Sequence, residues 1–228
     1  PLEEDRYYGW QLNGNGRYLL DDYTVTHNSG KTQAAIGAIE QVRRENSSID
    51  GAIIFASSDI MLDNFRDEIL YKGTEGRYIP ENHEKLNERT FNTRVKRLLS
   101  DFYITYNTTF VKFSKNVIQK LSPEQIKKEY SNKIIVIDEV HNIRIQAKNT
   151  DLSLYVNFHN FLHTVENCKI ILLSGTPMKD GAQEISSIMN LILPIDSQIP
   201  HTGYDFVKKY MKENSHGYNV VRKSKIPE

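Results

Sequence analysis

Four short strand-like runs, separated by segments of helical period, constrain this chain more than any other feature. Three are apolar at nearly every position: Ala52-Ile53-Ile54-Phe55-Ala56, Ile134-Ile135-Val136-Ile137 and Lys169-Ile170-Ile171-Leu172-Leu173. The fourth, Phe102-Tyr103-Ile104-Thr105-Tyr106, is aromatic and β-branched. A strand that is apolar throughout, rather than alternating, is buried on both faces, as strands of parallel sheets are. Helical spacing appears around them. Ala34, Ala35, Ala38, Ile39 and Val42 precede the first run, and Ile60, Phe65, Ile69 and Leu70 follow it. Further helices are predicted over 116–130, interrupted or restarted at Pro123, over 152–165, and over 184–193, ended by Pro194. Strands alternating with helices predict an α/β fold with a parallel sheet between helical layers.

The remaining segments are less patterned. Residues 73–93 are polar and read as a loop or insertion, with Tyr78-Ile79-Pro80 breaking any helix. Arg89, Arg94, Lys96 and Arg97 form a basic segment best read as a solvated helix face. Ahead of residue 29, Gly14-Asn15-Gly16 is a turn, and Arg17–Leu20 and Tyr23–Thr26 read as two short strands around Asp21-Asp22. After Pro194 the chain is polar, with no evident core element. Lys+Arg and Asp+Glu both number 29. Zero net charge speaks against nucleic-acid binding by bulk charge and leaves room for a local basic groove. The single Cys168 cannot close an intramolecular disulfide, so a reducing, intracellular compartment is expected. No apolar run is long enough to span a membrane, so no membrane partner is expected. The chain opens at Pro1 without Met, as a fragment or processed piece does.

Chemistry concentrates at three places. Ser29-Gly30-Lys31-Thr32 stands directly before an Ala-rich helix and matches the second half of a phosphate-binding loop. In such a loop backbone N–H groups at a helix N-terminus cradle phosphates, Gly30 allows close approach, Lys31 reaches the β- and γ-phosphates, and Thr32 coordinates Mg²⁺. The first half is missing: Val25 occupies the position of its first glycine, and a β-branched residue suits no tight turn. Next, Ile134–Ile137 runs into Asp138-Glu139-Val140-His141, an apolar strand ending in two acids. There Asp138 would hold Mg²⁺ and Glu139 would activate the attacking water. Last, Ser174-Gly175-Thr176-Pro177 follows another apolar strand, and its hydroxyls, on Ser174 and Thr176, could bond His141. Taken singly, each motif has a bland reading: a helix cap, a solvated acidic turn, a strand-to-helix loop.

In this order the three motifs resemble motifs I, II and III of superfamily 2 helicases and translocases. The likeness extends to the helicase-like ATPases of large DNA viruses, among them the small subunit of the poxvirus early transcription factor. It covers Ser29 to about Pro194. The resemblance implies the first RecA-like domain of such a motor, using ATP and Mg²⁺ and acting on DNA or RNA, with transcription-factor or polymerase subunits as partners, in a virion or host cytoplasm. It also places Ser57, Ser58, Asn64, Thr105 and Tyr106 where a nucleic-acid backbone would pass. A capping or packing role competes at each.

The segment before Ser29 resembles something different. Tyr7-Tyr8-Gly9-Trp10, Gly14–Leu20 and Thr24-Val25-Thr26-His27-Asn28 are similar to the C-terminal end of inteins. The resemblance implies that Asn28 cyclises on its own carbonyl to cut the 28–29 bond, that His27 polarises that carbonyl, and that Ser29 is the nucleophile accepting the upstream segment. Ser29 would then serve the phosphate loop. Arg17 and Gly9 occupy the approximate places of an intein's helping His or Asp. The bland alternative makes Asn28 an N-cap. The expected organisation is therefore 1–28 intein segment, 29–200 first RecA-like domain, 201–228 a tail leading to a second domain. The function expected is an ATP-dependent helicase or translocase. The alternatives are another P-loop NTPase or kinase, or a scaffold with an incomplete P-loop.

Overall fold

The computed structural model describes residues 17–19, 25–27, 30–105, 109–145, 152–178, 183–200, 203–213 and 219–221. Its centre is a four-stranded, wholly parallel sheet. The strands are β3 (Gly51–Phe55), β4 (Tyr103–Thr105), β5 (Lys133–Ile137) and β6 (Lys169–Leu172), in the spatial order β4-β3-β5-β6. Register runs Ile54 beside Val136 and Val136 beside Ile171. Two antiparallel pairs lie outside this sheet: β1 (Arg17–Leu19) with β2 (Val25–His27), and β7 (Met211–Glu213) with β8 (Asn219–Val221).

Helices cover both faces, and the pleat of β3 and β5 divides the core accordingly. Ala52, Ile54, Ile134 and Val136 pack on α1 (Lys31–Glu45), α2 (Asp59–Glu68) and α3 (Glu88–Ser100), through Ile36, Ile39, Leu62, Phe65, Val95 and Leu99. Ile53, Phe55, Ile135 and Ile137 face α4 (Phe110–Phe113), α5 (Pro123–Tyr130), α6 (Ser153–Thr164) and α7 (Glu184–Asn190). Here aromatic rings dominate, with Phe55 and Phe113 centroids 4.5 Å apart and Phe158 and Phe161 edge-on to Phe55. Pro123 restarts a helix rather than interrupting one. It occupies the first turn of α5 behind a capping box in which Ser122 and Gln125 bond reciprocally.

Three expectations need correction. Ile60 is 73 % exposed, and Ala34 is also exposed; the buried stripe of α2 runs through Leu62 and Phe65 instead. Ile60 sits in the first turn, outside the angular range that meets the sheet. The polar stretch 73–93 is not a plain loop. It holds a short 3₁₀ turn at His83–Lys85 and the start of α3, whose first turn is capped by Asn87. Finally, the segment after Pro194 contains α8 (Gly203–Tyr210), with Phe206 buried.

Buried Glu40 ties α1 to the segment after α2. Tyr103 Oη donates to Glu40 Oε1 at 2.6 Å, and Arg77 pairs with Glu40 Oε2 at 2.5 Å. Burial, then the bond to Glu40, pushes the Tyr103 hydroxyl far above its ordinary range. The π-turn Ile69–Gly73 brings the chain so close to α1 that a Cβ at Gly73 would run into Ile36 Cγ2. Gly73→Ala is therefore expected to lower stability by about 1–3 kcal/mol, read as a lower urea midpoint at unchanged slope.

Candidate functional site

The motif residues converge at the carboxyl ends of β5 and β6. The backbone arranges this: Asp138 N donates to Phe55 O at 2.7 Å, Leu173 N to Ile137 O at 2.9 Å, and Val140 N to Leu173 O at 2.9 Å. The acidic turn after β5 is thus held between the ends of β3 and β6. Asp138 is 5 % exposed. Glu139 takes a left-handed backbone, φ 54° and ψ 47°, which an L-residue adopts reluctantly. Hydrogen bonds on both sides hold it there, one of them from Asn142 N to its carbonyl at 2.9 Å. Its N–H donates to Asp138 Oδ1 and its carbonyl accepts from Asn142 Nδ2, both at 3.0 Å.

His141 joins the two loops. Its Nδ1 lies 3.0 Å from Ser174 Oγ and 3.1 Å from Glu139 Oε2. Ser174 Oγ in turn accepts from Thr176 N at 3.1 Å. Facing them is the start of α1. Gly30, at φ +73°, precedes the helix without offering a side-chain cap, and its carbonyl accepts from Ala34 N at 2.9 Å. That conformation belongs to glycine. Lys31 reaches across to the loop after β6, where a Cβ at Gly175 would lie 3.4 Å from Lys31 Nζ.

Burial is the main cause that raises the Asp138 carboxyl above the usual carboxylate range, and the Glu139 charge adds to it. The Glu139 amide, Lys31 and His141 pull the other way. Adjacent carboxylates, one of them buried, are the oxygen donors a divalent ion takes, so Asp138, with the hydroxyl of half-buried Thr32, is the residue that would hold one.

A second connection was not foreseen from the motifs. Arg144 and Glu184, with side chains 5 % and 4 % exposed, form an ion pair at 3.4 Å, and Arg144 also donates to Thr176 O at 3.0 Å. Ile145 N donates to Ser187 Oγ at 3.2 Å. The turn after β5, the loop after β6 and α7 are therefore fastened together. No local signal announced it: Arg144 closes the polar turn after β5, and Glu184 opens a helix with Ser186, Ser187 and Asn190 among its residues.

The residues expected to meet nucleic acid are not among the contacts of this cluster that are described. Ser57 Oγ donates to Met61 Sδ, Ser58 caps α2, and Asn64 is exposed on that helix. Thr105 ends β4, and Tyr106 lies outside the described residues. Of the junction residues, His27 ends β2 opposite Arg17, whereas Asn28 and Ser29 lie outside the described residues. The helix that follows begins after Gly30, so Asn28 is not its N-cap.

Residues 24–179 match the family described as type III restriction enzyme, res subunit. The chain belongs to this family. The res-subunit match takes in every motif residue of the cluster from Gly30 to Thr176. Several similar proteins are viral. They include "Putative helicase 009L" of Frog virus 3, 35 % identical over 75 % of this chain and 18 % of that protein. "Putative helicase 087L" of Invertebrate iridescent virus 3 is 29 % identical over 78 % of this chain and 19 % of that protein. A "Putative ATP-dependent RNA helicase" of Heliothis virescens ascovirus 3e is 24 % identical over 91 % of this chain and 21 % of that protein. The chain spans about a fifth of the length of these curated relatives. With its parallel sheet between helical layers, this res-subunit chain is a superfamily 2 helicase-like domain, consistent with a RecA-like fold.

Proposed function

We propose that this chain is the first RecA-like domain of an ATP-driven helicase or translocase, acting on DNA or RNA. The observation that carries the reading is the meeting of Lys31, Asp138, Glu139, His141 and Ser174 at one end of the sheet. Lys31 and the start of α1 bind the phosphates of ATP. Asp138 and Thr32 hold Mg²⁺, which neutralises phosphate charge when bound. Glu139 orients water, and His141 with Ser174 and Thr176 passes the state of that site to the loop after β6. The same reading takes the setting to be viral transcription, with transcription-factor or polymerase subunits as partners; the viral relatives support the viral part of it.

Motors of this class close a second domain over the ATP. The isolated chain is accordingly expected to hydrolyse ATP little or not at all, and the full-length protein to do so with nucleic-acid stimulation. Lys31→Ala in the full-length protein is expected to weaken ATP binding at least about tenfold, measured by equilibrium titration with a fluorescent nucleotide. Unchanged binding would remove Lys31 from the phosphate site.

The same proposal reads residues 1–28 as the C-terminal segment of an intein whose excision completes the phosphate loop. Support comes from the β1–β2 hairpin that ends at His27 and from Val25 where a phosphate loop needs glycine. The full-length gene product is expected to appear as a ligated protein lacking everything through Asn28. Asn28→Ala is expected to leave the insertion attached to Ser29. Intact mass spectrometry distinguishes the two, and a mature protein that retains Val25 sinks the reading.

A further inference from the structure

The segment that leaves α7 is fastened to α6 by polar side chains. Asn190, the last residue of α7, bonds Ile199 twice: its Nδ2 donates to Ile199 O at 2.7 Å and its Oδ1 accepts from Ile199 N at 2.8 Å. Two histidines one turn apart on α6 complete the clasp. His163 Nε2 meets Leu193 O at 2.9 Å, and its Nδ1 meets His159 O at 2.7 Å. His159 Nε2 lies 2.6 Å from Gln198 Nε2. The two imidazoles stack, with centroids 4.2 Å apart and planes 28° from parallel.

Donors and acceptors fix how many protons the pair carries. Gln198 Nε2 also reaches Asn190 O at 3.1 Å. A carbonyl only accepts, so this end of the Gln198 amide carries the hydrogens and donates to His159 as well. His159 Nε2 therefore offers a lone pair, and its ring is neutral. His163 is placed the opposite way. Both of its nitrogens face carbonyl oxygens, and only a doubly protonated ring donates to both. The docked pair thus has room for one added proton, on His163. A second, on His159, would turn a donor toward a donor and stack two cations.

The charges around the pair are engaged elsewhere. Asp196, the acid within the segment, is exposed and accepts from Ser197 Oγ. On α5 Lys127 pairs with Glu166, and on α7 Glu184 pairs with Arg144. Tyr155, one turn earlier on α6, sets its ring 5.7 Å from that of His159, and burial pushes its hydroxyl up to about 12. Burial first, and then the charge on His163, hold His159 below the ordinary histidine range; the side-chain bonds to Gln198 and Asn160 offset only part of this.

We propose that His159 and His163 form an acid-sensitive clasp on the segment 191–199, closed while the two rings carry one added proton between them and opened by a second. The segment joins α7 to α8, and α7 is itself fastened to the loop after β6 through Glu184 and Arg144. A histidine that resists protonation when docked contributes its full stabilisation above the ordinary value of about 6.5. That contribution is lost as pH falls through the lower docked value.

Hydrogen exchange read by mass spectrometry, corrected for the intrinsic pH dependence of exchange, tests this in the full-length protein. The comparison is between about pH 7.5 and about pH 5, where most carboxylates keep their charge. Peptides covering 191–199 are expected to exchange at least about threefold faster at the lower pH, with β3 peptides unchanged. His159→Gln keeps an acceptor for Gln198 but cannot take the proton, and is expected to abolish the difference. Equal protection of 191–199 at both pH values overturns the proposal. So does an equal loss of protection in β3, which is acid unfolding of the whole sheet, and so does an acid response that survives in His159→Gln. Should that variant not fold, the ring signals of His159 followed by NMR in the wild-type protein decide. A ring that stays neutral until the segment opens sustains the clasp, and one already charged at neutral pH overturns it.

Discussion

Glu139→Gln is expected to lower ATP turnover of the full-length protein by about 100- to 1000-fold while leaving nucleotide affinity within about threefold. The geometry separates the two effects. On the proposed reading, binding rests on Lys31, the start of α1 and Asp138, none of which is bonded to the Glu139 carboxylate in the interactions described. Asp138 is fixed through its own backbone bond to Phe55 O, and its Oδ1 accepts from the Glu139 amide rather than from the side chain. A glutamine preserves volume and can still bond His141, but it cannot take a proton from water. Single-turnover hydrolysis and equilibrium titration read the two properties independently. Loss of affinity equal to the loss of turnover would make Glu139 a binding residue and end its assignment as the base.

The second large effect concerns stability. Arg144→Met leaves the Glu184 carboxylate in a site where the two side chains are only 5 % and 4 % exposed, and also removes the donor to Thr176 O. Removing one partner of a buried ion pair costs about 3–5 kcal/mol. The double substitution Arg144→Met with Glu184→Leu removes both charges and is expected to recover most of that loss. Urea unfolding of the four proteins in the cycle gives the coupling. If the single and double variants are equally destabilised, the pair is not what fastens the loop after β6 to α7. Turnover adds a second readout: the double variant folds, yet the loop carrying Ser174 and Thr176 has lost a support, so ATP hydrolysis should not recover with stability.

Much of the fold was legible because parallel strands declare themselves. Ile53, Ile54, Ile134–Ile137 and Ile170–Leu172 are apolar without alternation, and the sheet buries both faces of β3 and β5. Helices were less legible where few residues carry the burial. α3 sinks only Val95 and Leu99, so its first turns read as polar loop. In α2 the expected stripe began at Ile60, although burial starts two residues later at Leu62. Within the site, contiguous motifs could be read and long-range pairs could not. Asp138, Glu139 and His141 stand together in sequence, and Ser174 was a natural partner for His141. The Arg144–Glu184 pair joins residues forty positions apart, and Glu40–Tyr103 sixty-three. Nothing local in a sequence states that two distant charges share one dry pocket.

The left-handed backbone at Glu139 bears on how such a position can change over generations. Glycine adopts that conformation without a steric penalty and asparagine with little, whereas glutamate holds it at a cost of about 1 kcal/mol or more. Selection for foldability alone would therefore drift this site toward Gly or Asn. On the proposed reading, activity supplies a countervailing pressure at Glu139, which Glu75, also left-handed at φ 51° but away from the site, does not share. Descendants released from that pressure would be expected to lose Glu139 early, and to fold slightly better once they had.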